Sequence, residues 1–120
     1  MIAIADDKEI GTVANALADP TRRRIVQLLG EGPRTATDLY GEFAIAGPAV
    51  SRHLRVLCEA GVIAEQPVAG DRRVRLYRLE PRPLGELAAW LEGVSAGWQG
   101  QLDAFKDYVA VRGGRGTEKR

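Results

Sequence analysis

The sequence predicts a mainly α-helical fold carrying one small β-hairpin, with a long last helix left to meet a second chain. Three observations lead there. Apolar residues recur at helical spacing in five stretches, most of them bounded by Pro, Gly or a capping side chain. A single stretch, residues 62–79, switches to strand-like alternation around a Gly-Asp turn. The final apolar stripe is longer than a small domain can cover from within.

At 120 residues, 45% of them hydrophobic and 28% charged, the chain suits one folded domain with a real core. Residues 1–112 are read as that domain and residues 113–120 as a polar, disordered tail. No run of about 18 apolar residues marks a membrane span. The N-terminus turns acidic within a few residues, unlike a signal peptide. One cysteine excludes an internal disulfide and fits a cytoplasmic location. Net charge is only +1, but it is unevenly placed. Residues 1–19 hold four acids against one lysine, while residues 51–79 hold six arginines against three acids. Local placement of Arg and Lys, more than the total, decides whether phosphates can be met.

Taken in order, residues 9–18 place Ile10, Val13, Ala14 and Leu17 on one helical face. Asp19-Pro20 restarts the chain as N-cap and first helical residue. Ile25, Val26, Leu28 and Leu29 form the buried face of the second helix, and Gly30 is expected to end it. Arg22, Arg23 and Arg24 crowd its first turn, where the helix dipole disfavours positive charge, so a phosphate or a carboxylate is expected to offset them. After a Gly32-Pro33 turn, Thr35 and Asp38 are spaced to cap a short third helix that buries Leu39, Tyr40 and Phe43.

Residues 47–60 form the fourth helix, opened by Pro48 and stopped by Gly61. Val50, Leu54 and Leu57, flanked by Val56, make its back; Ser51, Arg52, His53 and Arg55 lie on the rest of its surface. Such a front suits a DNA major groove, where Arg reaches guanine edges, Ser donates or accepts and Ala meets a thymine methyl. An ordinary amphipathic surface helix has the same pattern. Two short helices joined by a short link, the second with this front, form a helix-turn-helix. The hairpin that follows reads as a wing, with Arg72, Arg73 and Arg75 at or near its tip. Pro67 makes its first strand an edge. In the second strand Val74, Leu76 and Leu79 alternate with Arg73, Arg75 and Arg78, and Tyr77 falls in the polar register. These arginines either line a phosphate backbone or form a solvated strand face.

Pro81-Arg82-Pro83 breaks the chain again, and a helix of roughly 25 residues, about 38 Å, is expected from Leu84. Leu84, Leu87, Leu91, Val94, Trp98, Gln101, Phe105 and Tyr108 follow alternating three- and four-residue steps, a heptad-like seam broken only by Gln101. Its simplest cover is the same helix of a second subunit.

The blocks Ala16-Leu17-Ala18-Asp19-Pro20-Thr21-Arg22-Arg23-Arg24-Ile25, Val50-Ser51-Arg52-His53-Leu54-Arg55-Val56-Leu57 and Ala60-Gly61-Val62-Ile63 resemble the ArsR-type (ArsR/SmtB) winged helix-turn-helix repressors. The strand Arg73-Val74-Arg75-Leu76-Tyr77-Arg78-Leu79 looks like the family's wing. The resemblance spans about residues 9–110. It implies a homodimer that binds a palindromic operator in double-stranded DNA, with recognition helices in successive major grooves about 34–36 Å apart. Ile10, Val13 and Leu17 from the first helix, and Leu87, Leu91, Val94, Trp98 and Phe105 from the last, would line the subunit interface. Carried over by position, Pro48, Ala49, Ser51, Arg52 and His53 would face bases and the nearest phosphates, and Arg55 would hold a phosphate.

Metal-sensing members carry a Cys-x-Cys pattern near the third helix, or His and carboxylate ligands on the last. Here the third helix reads Ala36-Thr37-Asp38-Leu39-Tyr40 and the last has no His, so neither a metal nor any other cofactor is expected. A small-molecule effector stays open, with Trp90 or Trp98 as an apolar wall, as does a redox switch at Cys58, whose plainer role is a small buried hydrophobe. A winged helix can instead bind protein; such a module has no need of Arg52, Arg55 and the wing arginines, all kept here. One His and one Cys, without a phosphate loop or a nucleophile–base pair, give catalysis almost nothing to use.

Overall fold

Capping chemistry sets most of the element boundaries in the computed structural model, which describes residues 7–113. The elements run α1 (Asp7–Ala16), α2 (Pro20–Glu31), β1 (Arg34–Thr35), α3 (Ala36–Tyr40), α4 (Gly47–Glu59), β2 (Ile63–Val68), β3 (Asp71–Leu79) and α5 (Pro81–Gly113). The acidic start and residues 114–120 of the expected tail lie outside the described residues; Gly113 closes α5. The chain forms two compact units, one up to Leu87 and one from Ala88 onward.

Asp19 caps α2 from an extended backbone conformation, its Oδ2 accepting the Arg22 N–H at 3.1 Å, and Pro20 follows in the first turn. That hydrogen bond, followed by the nearby His53 and a second backbone contact from Thr21, holds the Asp19 carboxyl below its usual pKa against the opposing pull of burial. A depressed carboxylate stabilises the fold above its unfolded pKa and loses that contribution as pH falls through the folded value. Asp19→Ala is therefore expected to lower stability by about 1 kcal/mol at neutral pH. Asp19→Asn should keep most of the cap but flatten the acid limb of a thermal-melt series against pH; an unchanged acid limb would refute this assignment.

α2 continues past Gly30 and ends at Gly32, whose φ of 151° is tolerated by glycine and whose N–H returns to the Leu29 carbonyl at 3.2 Å. The expected stop was thus two residues early: Gly30 stays helical and exposed. Thr35 and Asp38 form the reciprocal capping box of α3 at 3.1 and 3.4 Å. Leu39 is fully buried and Phe43 partly so, but Tyr40, read as a core residue, is exposed. Gly61, with φ 78°, stops α4 in the left-handed region; the Val62 N–H reaches the Leu57 carbonyl and the Gly61 N–H that of Cys58. These two bonds make a Schellman end.

The hairpin is part of a three-stranded antiparallel sheet in the order β1-β3-β2. β1, only two residues long, pairs Arg34 with Tyr77 and Thr35 with Leu76. On the other side β2 pairs Ile63 with Leu79 and Glu65 with Tyr77, so β3 is central and Pro67 does sit on an edge strand. This corrects the strand's predicted register. Tyr77 is 5% exposed and belongs to the core, whereas Val74 and Leu76 are half-buried on the opposite face.

The core of the first unit gathers Val13 and Ala16 from α1, Ile25, Leu28 and Leu29 from α2, Leu39 from α3, and Val50, Leu54 and Leu57 from α4. Val62, Ile63 and Tyr77 complete it from the sheet side. Ala14, expected on the buried face of α1, is exposed, and Ala16 takes its place. α5 begins at Pro81, not after Pro83, because prolines fit a first turn whose N–H groups need no helical partner. It reaches 33 residues, about 50 Å. No described helix is long and apolar enough to cross a membrane.

Candidate nucleic-acid interface

The packing of Val50, Leu54 and Leu57 decides which side chains α4 turns outward. Arg52 and Arg55 are exposed, Pro48 is exposed, and Ala49, Ser51 and His53 are partly buried at the edges of the apolar stripe. Neither guanidinium of Arg52 nor of Arg55 has an ion pair or hydrogen bond among the described residues, so both charges remain available. Ser51 Oγ lies 2.8 Å from the Tyr40 hydroxyl, which joins the end of α3 to the front of α4. Tyr40 was missed as a site residue because an aromatic near the end of an amphipathic helix reads as core.

In the wing, Gly70 takes φ 85° in the turn between β2 and β3. Arg72 is exposed and unpaired among the described residues. Arg73 is 93% exposed at its side chain and only loosely placed against Asp71 at 3.6 Å. Arg75 points the same way as Tyr77 along β3 and pairs with Glu65 at 3.2 Å, so it is the one wing arginine already engaged across the strands. Between α4 and the wing lies a cleft of about 480 Å³ lined by Tyr40, Ser51, Leu54, Arg55, Cys58 and the Glu65–Arg75–Tyr77 group. Burial, then Glu65 and Glu59, push the Cys58 thiol up, which opposes the thiolate that oxidation needs. Burial likewise raises the Tyr77 phenol.

The arginines at the start of α2 are offset by something the sequence did not disclose. Arg22 Nε donates to the Ala16 carbonyl at 2.6 Å and Nη2 to the Asn15 carbonyl at 3.1 Å, while Arg23 Nη1 donates to the Leu17 carbonyl at 2.9 Å. The acceptors that the chain itself supplies to these two guanidinia are thus the carbonyls at the end of α1. Arg23 and Arg24 are both exposed, and Arg24 is the one of the three without a hydrogen bond or ion pair among the described residues.

Of the predicted interface residues, Ile10 and Val13 are 8% and 1% exposed within the single chain, and Leu17 and Leu87 pack partly on its core. Val13 therefore keeps almost no surface in the single chain. Leu91, Val94, Trp98 and Phe105 are 50–62% exposed.

A short helix, a link, a second helix with unpaired outward guanidinia and an arginine-bearing hairpin define a winged helix-turn-helix module. A family model described as a helix-turn-helix domain matches residues 17–66. The HTH-type transcriptional regulator Rv2034 of Mycobacterium tuberculosis is 44% identical over 98 residues, covering 82% of this chain and 86% of that protein. The transcriptional repressor SdpR of Bacillus subtilis is 43% identical over 56 residues, 47% of this chain and 62% of that one. A crystal structure of an ArsR family transcriptional regulator superposes with a TM-score of 0.72 at 30% identity, covering 81% of this chain and 97% of that one. The chain belongs to the ArsR/SmtB-type family of helix-turn-helix transcriptional regulators.

Proposed function

We propose that this protein is a homodimeric, cytoplasmic and nucleoid-associated repressor that binds an inverted-repeat operator through α4 and the wing, without a catalytic role or a metal cofactor. The observation that carries the reading is the set of exposed, unpaired guanidinia of Arg52, Arg55 and Arg72 on two adjoining elements. Arg52, near the middle of the outward face of α4, reads a base edge; Pro48, Ala49, Ser51 and His53 lie around it, and Arg55, Arg72, Arg73 and Arg75 hold phosphates. The exposed α5 seam of Leu91, Val94, Trp98 and Phe105 supports pairing with a second copy, whose recognition helix then meets the neighbouring half-site.

The test is selection of fragmented source-genome DNA by the purified protein at two salt concentrations. An enriched inverted repeat whose affinity falls steeply with salt is the expected result. No enrichment by a folded dimer would move the reading to a protein-interaction module. On the recovered site, Arg52→Ala should cost about 1–3 kcal/mol and relax preference at one base pair. Arg75→Ala should weaken all sequences alike and reduce the slope of log affinity against log salt by about 0.9. Equal effects of the two substitutions on specific and random duplexes would contradict the division of roles.

A further inference from the structure

The lone histidine of the chain sits on α4 one residue before the buried Leu54, at the edge of the apolar stripe that faces α2. Its Nδ1 lies 3.3 Å from Arg22 Nη1. A guanidinium has five donors and no acceptor, so Nδ1 must be the acceptor in this contact. A neutral imidazole with an accepting Nδ1 carries its proton on Nε2. Asp19 Oδ2, the other group near Nδ1, is 3.9 Å away, too far to accept a proton from it, and already takes the Arg22 N–H. Arg22 in turn cannot drift, because two α1 carbonyls hold its Nε and Nη2.

His53 Nε2 has no partner among the described residues. Among the described residues the fully buried side-chain polar atom without a partner is Glu86 Oε1 on α5, so the unpartnered His53 Nε2 is not fully buried and keeps contact with solvent. The His53 side chain keeps 22% of its surface. The groove floor is read from the centre of a recognition helix, whereas phosphates line the rim that its flanks approach.

We propose that Arg22 is a positioning residue that fixes His53 as the Nε2–H tautomer, and that this N–H donates to a DNA backbone phosphate at the groove rim. The inference rests on the DNA-binding reading above, which already places His53 at the interface, and adds which nitrogen donates and that its orientation is set from α1 and α2. It also gives Arg22 a task other than meeting phosphate itself.

One histidine means one set of ring signals, so the full chain with ring-¹⁵N-histidine can be read directly by NMR. The free protein should show a protonated Nε2 and an unprotonated Nδ1. A short mixed-sequence duplex at low salt, sufficient because the acceptor is a phosphate, should shift Nε2 and slow exchange of its proton. His53→Asn keeps an acceptor for Arg22, but its amide N–H group ends one bond short of the Nε2 position; it should melt like the parent and bind the duplex about tenfold weaker. His53→Gln places an amide N–H near the lost Nε2 and should recover most of that binding. Arg22→Leu should give mixed tautomers, and if it does not fold, the Asn and Gln pair still decides. A Nδ1–H tautomer, a silent Nε2 in a protein that plainly binds the duplex, or parent-like binding by His53→Asn each overturns this proposal alone. Absence of any DNA binding, with the tautomer as stated, overturns both it and the proposed function.

Discussion

A chain carrying Leu91→Glu and Trp98→Glu is expected to be monomeric and to lose about 100-fold or more in affinity for a two-half-site operator. The two positions are one heptad apart on α5 and are 50% and 60% exposed in the single chain. Between them and beyond, Val94, Phe105 and Tyr108 are exposed to a similar degree. A carboxylate placed in such a seam has to be desolvated when two copies meet, a cost that apolar contact does not repay. In a dimer the second half-site is reached at a high effective concentration, an advantage of about 10²–10⁴ that disappears with the partner. Helicity should fall too. Among residues 88–111 all but Leu102 are exposed, and Gly93, Gly97 and Gly100 each weaken a helix by about 1 kcal/mol relative to Ala. Sedimentation, far-UV dichroism and operator titration measure the three effects. A double variant that stays dimeric would place the subunit contact elsewhere.

Local rules made much of the fold legible. Asp19-Pro20, Thr35 with Asp38, and Gly61 act within four residues of themselves, and each caps or stops its helix as its chemistry demands. The back of α4 follows from periodicity alone, since Val50, Leu54 and Leu57 share one face in any helix. What was not legible depends on partners remote in the chain. β1 is two residues long and exists only because β3 runs beside it, so no periodicity can announce it. With β1 on one side and β2 on the other, β3 is central and Tyr77 is drawn under the helices, although its neighbours along the strand had suggested the wet face.

The candidate site divides in the same way. The exposed positions Arg52, Arg55 and Arg72 follow from helical and strand geometry, and they lie where that geometry puts them. The contacts that orient their neighbours do not follow from it. Tyr40 reaches Ser51 across a helix boundary, Arg75 takes Glu65 from the adjacent strand, and Arg22 spans from the end of α1 to His53. Charge runs reveal that a cation needs a partner; only packing reveals that a backbone carbonyl supplies it.

Leu57→Ala should separate stability from recognition most sharply. The Leu57 side chain is fully buried among core residues of α4, and its carbonyl receives the Val62 N–H at the turn into the sheet. Truncation removes the transfer energy of the lost carbons and leaves a cavity, together about 2–5 kcal/mol. Against a total stability of about 5–15 kcal/mol that loss should lower Tm by roughly 10 °C or more. The side chain has no surface from which to touch DNA, so in the cold, where the variant is still folded, operator affinity should change little. Arg52→Ala should show the reverse pattern: an unchanged melt and weakened, less selective binding. The pair can be read from thermal unfolding and a low-temperature titration on the same samples. A Leu57→Ala protein that melts like the parent would mean that the back of α4 is not what holds its arginines outward.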